Sequence, residues 1–226
     1  MSAPIVVFDL DGTLVDSAPD LIDSLNTLFL REGWPPLPAD EARSLIGSGM
    51  KPLIARGLKA KNVDADAATL EALYAEFVDD YASRIAKFTR PYPGVEKALD
   101  RLAAAGFRLA VCTNKLEWLA VKLLDALSLS DRFATICGQD TFGVPKPDPR
   151  ALLRTIEASG GSSSRAVMVG DSATDVRTAQ AASIPVVVVD FGYTEIPVPE
   201  LGADHIISHY DALPDTVAKL VKTPPR

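Results

Sequence analysis

Two carboxylates, Asp9 and Asp11, follow the apolar run Ile5-Val6-Val7-Phe8 directly, with Gly12 and Thr13 behind them. In extended chain, residues i and i+2 point to the same side, so both carboxylates can face one reacting centre. Two ionised carboxylates about 4 Å apart repel by roughly 4 kcal/mol at an effective dielectric near 20. A fold tolerates that when a cation sits between them or when one of them holds a proton. Both readings point to chemistry. An Asp-Gly turn also ends many strands that do none, so the pair needs company.

Three other polar groups supply it. Thr113-Asn114-Lys115 follows the apolar run Leu109–Cys112, and Gly170-Asp171-Ser172 follows Ala166–Val169, with Asp175 four residues beyond Asp171. Between them lies Val144-Pro145-Lys146-Pro147-Asp148-Pro149. In open α/β sheets, ligands bind at the carboxyl ends of the strands, near the point where strand order reverses. Each of these groups would arrive at that edge.

The elements that must position them alternate. Ile5–Phe8, Leu109–Cys112, Ala166–Val169 and Val186–Val189 read as buried parallel strands, with Ala134–Cys137 a weaker one. Helical patterns at Val95–Ala105, Leu116–Leu127, Ala151–Ala158 and Thr174–Ala182 separate most of them. The expected fold class is α/β, a doubly wound parallel sheet with a Rossmann-like core. Gly106 and Gly160 stand just past helix ends, where a left-handed residue is needed. Residues 16–90 break the rhythm and show no convincing strand. Ser17-Ala18-Pro19-Asp20 reads as a capping box opening a helix through Leu30. Pro35-Pro36-Leu37-Pro38 reads as a connector, and shorter helices are expected over Glu41–Ile46 and Leu53–Lys59. A longer helix from about Ala67 to Ala86 would place Leu70, Leu73, Tyr74, Phe77, Val78 and Tyr81 on one face. The expected organisation is a core of residues 1–15 and 91–226 with a helical cap domain, 16–90, inserted on two crossings. The tail Thr223–Arg226 is expected to fray.

The chain has 226 residues and a formal net charge of −7, so no global field draws nucleic acid or an anionic membrane. Any bound phosphate must be held by local groups and metal. Cys112 and Cys137 sit in apolar runs and read as small buried hydrophobes of a reducing compartment. No signal segment precedes the first strand and no apolar run reaches membrane-spanning length, so a cytoplasmic location is expected. His205 and His209 lack a further ligand at metal spacing and read as surface or structural residues.

Taken together, Phe8-Asp9-Leu10-Asp11-Gly12-Thr13-Leu14-Val15-Asp16-Ser17, Thr113-Asn114-Lys115, Lys146-Pro147-Asp148-Pro149 and Gly170-Asp171-Ser172-Ala173-Thr174-Asp175 resemble the phosphatase branch of the haloacid dehalogenase superfamily. The resemblance covers essentially the whole chain. It implies an aspartyl-phosphate intermediate on Asp9, the nucleophile. Asp11 would protonate the leaving alkoxide and then activate water, a dual duty that favours a raised pKa. Thr113 and Asn114 would hydrogen-bond the phosphoryl oxygens, and Lys146 would neutralise charge on the phosphoryl group and Asp9. The resemblance implies Mg²⁺ held by the Asp9 and Asp171 carboxylates and the Asp11 carbonyl. Thr13 and Asp175 would support that set from behind, Asp175 by orienting Lys146 or metal-bound water. Branches that cleave carbon–halogen bonds resemble this one without an aspartate at the second position, so Asp11 disfavours dehalogenation.

Substrate choice should reside in the cap. Ile46-Gly47-Ser48-Gly49-Met50-Lys51 resembles the cap segment that faces the site, so Gly47 would approach the substrate and Lys51 or Arg43 would meet a substrate carboxylate. The expected reaction is hydrolysis of 2-phosphoglycolate to glycolate and phosphate. The alternatives are another small ester (a sugar phosphate, pyrophosphate or a nucleotide), a sugar-phosphate mutase, and a non-catalytic phosphate-binding module. The expected partner is a small phosphorylated metabolite, with no nucleic acid or membrane, and the chain is expected as a monomer or homodimer. Ser183 stands where the family commonly has glycine, and Phe191 where tyrosine is frequent.

Overall fold

Strand β1 (Ala3–Phe8) is fully buried from Ile5 to Phe8. Val6 and Phe8 belong to one apolar cluster, Ile5 and Val7 to another. That alternation is what a strand covered on both faces requires. The computed structural model describes residues 3–47, 49–194 and 196–222; Ser48 and the tail Thr223–Arg226 lie outside them.

After β1 the chain forms β2 (Val15–Asp16), then helices α1 (Ala18–Arg31), α2 (Ala39–Ser44), α3 (Met50–Ala60) and α4 (Ala67–Ser83), and returns through β3 (Arg90–Pro91). It continues as α5 (Val95–Ala104), β4 (Arg108–Cys112), α6 (Glu117–Ala126), β5 (Thr135–Cys137), α7 (Pro149–Ala158), β6 (Gly161–Gly170), α8 (Ala173–Ala181), β7 (Val186–Val189), β8 (His205–Ile207) and α9 (Leu213–Lys222). Six strands form one sheet in the order β5-β4-β1-β6-β7-β8, every neighbouring pair parallel. Buried residues of α5, α6 and α9 join the cluster on one face, and those of α7 and α8 join the other. The fold is therefore the expected doubly wound α/β sheet. Gly106 (φ 85°) and Gly160 (φ 66°) are left-handed, as their positions after α5 and α7 demand.

Strand order reverses at β1. The chain leaves it for β4 and β5 on one side, then crosses back to β6, β7 and β8 on the other. The carboxyl ends of β1, β4 and β6 thus open side by side, the usual place for a ligand in such sheets.

Three sequence expectations for the helical segment need correction. The 16–90 stretch is not strand-free at its ends: Val15–Asp16 pairs antiparallel with Arg90–Pro91. A two-residue ribbon has no periodicity for a sequence to display. Ser17 and Asp20 also form no capping box. Ser17 is the N-cap of α1, but its hydroxyl donates to Asp11 Oδ1 at 2.5 Å. The buried Asp20 carboxylate instead accepts from the N–H groups of Phe88 and Thr89 and from the Thr89 hydroxyl, at 2.7–3.0 Å. It ties the start of α1 to the returning linker. Helix α4 buries Leu73, Phe77, Val78 and Tyr81 as expected, but ends at Ser83 rather than Ala86.

Candidate active site

The site grows from the end of β1. Asp9 Oδ1 accepts from the Leu10 N–H at 2.7 Å and meets Lys146 Nζ at 2.9 Å. The same ammonium lies 2.7 Å from Asp175 Oδ1. The other Asp175 oxygen accepts from the N–H groups of Asp171 and Ser172 and from the Ser172 hydroxyl. With both oxygens committed, Asp175 fixes Lys146 and the turn after β6. The backbone of Lys146 is clasped by Asn114, whose amide accepts from Lys146 N at 2.8 Å and donates to Lys146 O at 2.9 Å.

Asp171 closes the other side. Thr13 Oγ1 donates to its Oδ1 at 2.9 Å, and the Tyr193 N–H donates to its Oδ2 at 2.7 Å. Gly12 makes this approach possible. It has φ +82°, and a Cβ there would fall 2.4 Å from Asp171 Oδ2.

Burial dominates the electrostatics. It lifts the Asp9 carboxyl to about 6, against the attraction of Lys146. It lifts Asp171 well above the usual carboxylate range, with Asp175 and Asp9 adding repulsion. Burial opposes the charge of Lys146, but Asp175 and Asp9 outweigh it and raise its pKa. Asp9, Asp171 and Asp175 each offer an oxygen within 4.8 Å of the others, and Lys146 is the ammonium that pairs with Asp9 and Asp175 among the described residues. With Asp175 committed to Lys146 and the turn, the Asp9 and Asp171 carboxylates remain as a mostly buried, all-oxygen pair that suits a hard divalent cation. The donor set therefore fits the expected metal.

Asp11 has partners that the sequence reading did not assign. Lys115 Nζ donates to its two carboxylate oxygens at 2.9 and 2.8 Å, and Ser17 donates to Oδ1. The Lys115 side chain is 1% exposed, and its ammonium lies 4.7 Å from the centre of the Tyr81 ring on α4. The signal was available: Lys115 closes the Thr113-Asn114-Lys115 group at the end of β4. Thr113 Oγ1 accepts from the Lys115 N–H at 3.2 Å, which leaves its own hydroxyl proton to donate.

A cleft lies over these residues. Asp9, Asp11, Thr113, Asn114, Lys115 and Asp171 line it from the sheet edge. Leu21, Ile46, Gly47, Gly49, Met50 and Leu53 line it from the helical segment. Gly47 lines the cleft. Lys51 does not line this cleft: it pairs with Glu71, lies 5.1 Å from the centre of the Tyr74 ring, and lines a neighbouring depression with Asn114, Pro145 and Lys146. Arg43 also faces elsewhere, toward Asp16 at 3.2 Å and the ring of Tyr193 at 5.0 Å. Asn114 differs in detail too. Its amide holds Lys146 rather than pointing free into the cleft.

The family and the relatives that this chain matches make it a phosphoric monoester hydrolase. The model of the haloacid dehalogenase-like hydrolase family matches residues 6–189, and the chain belongs to that family. It is 49% identical over 213 residues to a phosphoglycolate phosphatase of Mesorhizobium japonicum, covering 94% of each chain. It is 45% identical over 220 residues to one of Caulobacter vibrioides, covering 97% of this chain and 93% of that one. Among solved structures, a predicted phosphoglycolate phosphatase from Haemophilus somnus superposes with a TM-score of 0.87 at 26% identity, over 96% of this chain and 98% of the other.

Proposed function

We propose that this chain hydrolyses 2-phosphoglycolate to glycolate and phosphate through an aspartyl-phosphate on Asp9. The observation that carries the reading is the Asp9–Lys146–Asp175 arrangement beneath a small cleft, with Asp11 on the same wall. The phosphoglycolate phosphatases at 49% and 45% identity support the substrate.

In this reading, Asp9 attacks phosphorus, and the bond from phosphorus to the glycolate oxygen breaks as the aspartyl bond forms. Asp11 gives a proton to the departing alkoxide. It then takes one from the water that attacks phosphorus and releases Asp9. Thr113 donates its hydroxyl proton to a phosphoryl oxygen. Lys146, anchored by Asp175 and Asn114, offsets charge on Asp9 and the phosphoryl group. Positioning and electrostatics of this kind supply most of the catalysis in phosphoryl transfer. The Asp9 and Asp171 carboxylates and the Asp11 carbonyl would hold Mg²⁺, which when bound neutralises phosphoryl charge.

Residues 1–15 and 91–226 act as the catalytic core and 16–90 as a cap that excludes bulk water. The β2–β3 ribbon and the apolar wall from Leu21 to Leu53 support that division. The protein works in the cytoplasm on a small phosphorylated metabolite; no helix among the described residues is long and apolar enough to cross a membrane.

The test is kcat/KM with Mg²⁺ across 2-phosphoglycolate, glucose 1-phosphate, pyrophosphate and nucleoside monophosphates, with chelator as control. The expected result is a clear preference for 2-phosphoglycolate that chelator abolishes. A better ester elsewhere in the panel would overturn the substrate, and full activity under chelator would overturn the metal.

A further inference from the structure

We infer that Lys115 is the residue that receives the substrate carboxylate and so sets selectivity for a carboxylate-bearing ester. The inference rests on the phosphoglycolate reading above and names the group that would enforce it.

A substrate charged at both ends must find a partner for each end once the cleft closes over it. An unpaired carboxylate taken out of water is strongly disfavoured. The phosphoryl end has Lys146 and the metal-binding carboxylates. The other end lies beyond the leaving oxygen, on the side of Asp11. The wall contributed by the helical segment offers no charge there: Leu21, Ile46, Met50 and Leu53 are apolar, and Gly47 and Gly49 have no side chain. Among the described residues that line the cleft, Lys115 is the only cation. Lys146 pairs with Asp9 and Asp175, Arg43 with Asp16, Lys51 with Glu71 and Lys115 with Asp11, but of these four only Lys115 lines the cleft.

Lys115 is also built to stay in place. Its side chain is 1% exposed, and its ammonium is held against both Asp11 oxygens with the Tyr81 ring on another side. An ammonium has three N–H donors. Two of them meet the Asp11 oxygens, and the third can bond a second carboxylate beside Asp11. The glycolate carboxylate is one methylene from the leaving oxygen, so a cation adjoining Asp11 is within its reach. A cation fixed in a dry site recognises one ligand length, because it cannot follow a longer tail.

The experiment compares 2-phosphoglycolate with ethyl phosphate, which keeps the leaving carbon and lacks the carboxylate. The selectivity is the ratio of their kcat/KM values, measured in the wild type and in Lys115→Met. The ratio cancels losses common to both esters, such as a disturbed Asp11. Wild type should favour 2-phosphoglycolate strongly, and Lys115→Met should cut the ratio by about 100-fold, the scale of a lost buried charge partner. A selective wild type whose ratio survives Lys115→Met within threefold would overturn the role of Lys115 alone. A wild-type ratio near one would overturn the substrate reading and this inference with it. If Lys115→Met does not fold, Lys115→Arg keeps the charge but displaces it in a site with no spare room. The ratio should then fall about tenfold or more, and an unchanged ratio would overturn the assignment.

Discussion

Lys146 Nζ lies 2.9 Å from Asp9 Oδ1, and its side chain is 2% exposed. The contact joins a loop before α7 to the end of β1 across the switch point of the sheet. Replacing Lys146 with Met leaves the Asp9 and Asp175 carboxylates facing each other with one cation fewer. Removing a preorganised charge of this kind costs about 10²–10³-fold in turnover, and kcat on 2-phosphoglycolate should fall at least that far. The thermal midpoint should fall most at pH 7.5 and recover toward pH 5, because Asp9, already raised by burial and raised further once Lys146 is gone, takes up a proton there. Steady-state kinetics and melting curves at the two pH values check both halves.

Metal and protons should compete at the same oxygens. Burial raises Asp9 to about 6 and Asp171 well above the usual range in the metal-free chain. A carboxyl whose folded pKa is raised binds its proton more tightly folded than unfolded. The metal-free protein should therefore gain stability as pH falls from about 7 toward 5, and lose it as pH rises. Mg²⁺ needs the deprotonated oxygens, so its stabilising effect should be large at pH 7.5 and shrink toward pH 5. Differential scanning calorimetry with and without Mg²⁺ measures this. Equal Mg²⁺ shifts at both pH values would contradict the assignment of the ligands.

Tyr193 connects the site to the first crossing. Its N–H holds Asp171, while its hydroxyl donates to Asp16 at 2.5 Å and accepts from the Ala18 N–H at 3.0 Å. Tyr193→Phe removes only the hydroxyl contacts. The expected outcome is kcat/KM lowered about tenfold, the equivalent of one hydrogen bond of roughly 1.4 kcal/mol. The affinity for Mg²⁺ by titration calorimetry should be unchanged, because the backbone contact to Asp171 remains.

Ser183 adopts φ 55° just past the end of α8, a left-handed position, and stands where the resembled family commonly has glycine. A side chain there carries a steric cost that glycine lacks. Ser183→Gly should stabilise the protein by about 0.5–1 kcal/mol and raise the thermal midpoint by a few degrees. Activity should not change.

These residues also show what the sequence could reveal. Strands β1, β4, β6 and β7 were legible where they are buried on both faces, as Ile5, Val6, Val7 and Phe8 write that burial as an unbroken apolar run. The polar groups were legible because each closes such a run. The partners of those groups were not. Ser17 and Asp20 match a local capping signature, yet Ser17 reaches Asp11 and Asp20 reaches residues 88 and 89. Lys51 and Lys115 are both lysines beside a glycine-rich or polar turn. Only the packing of α3 and α4 over the sheet edge puts one on Glu71 beside the cleft and the other on Asp11 within it. Local spacing records which side chains share a face. It carries no record of which distant face closes over them.

The central claim is that Asp9 becomes phosphorylated. Its most direct test is an acid quench of the Mg²⁺-loaded enzyme during turnover of 2-phosphoglycolate, followed by peptide mass analysis. One phosphoryl group on the peptide that carries Asp9, absent in Asp9→Asn, is the predicted result. Full turnover with no phosphorylated Asp9 peptide, and with Asp9→Asn still active, would contradict it.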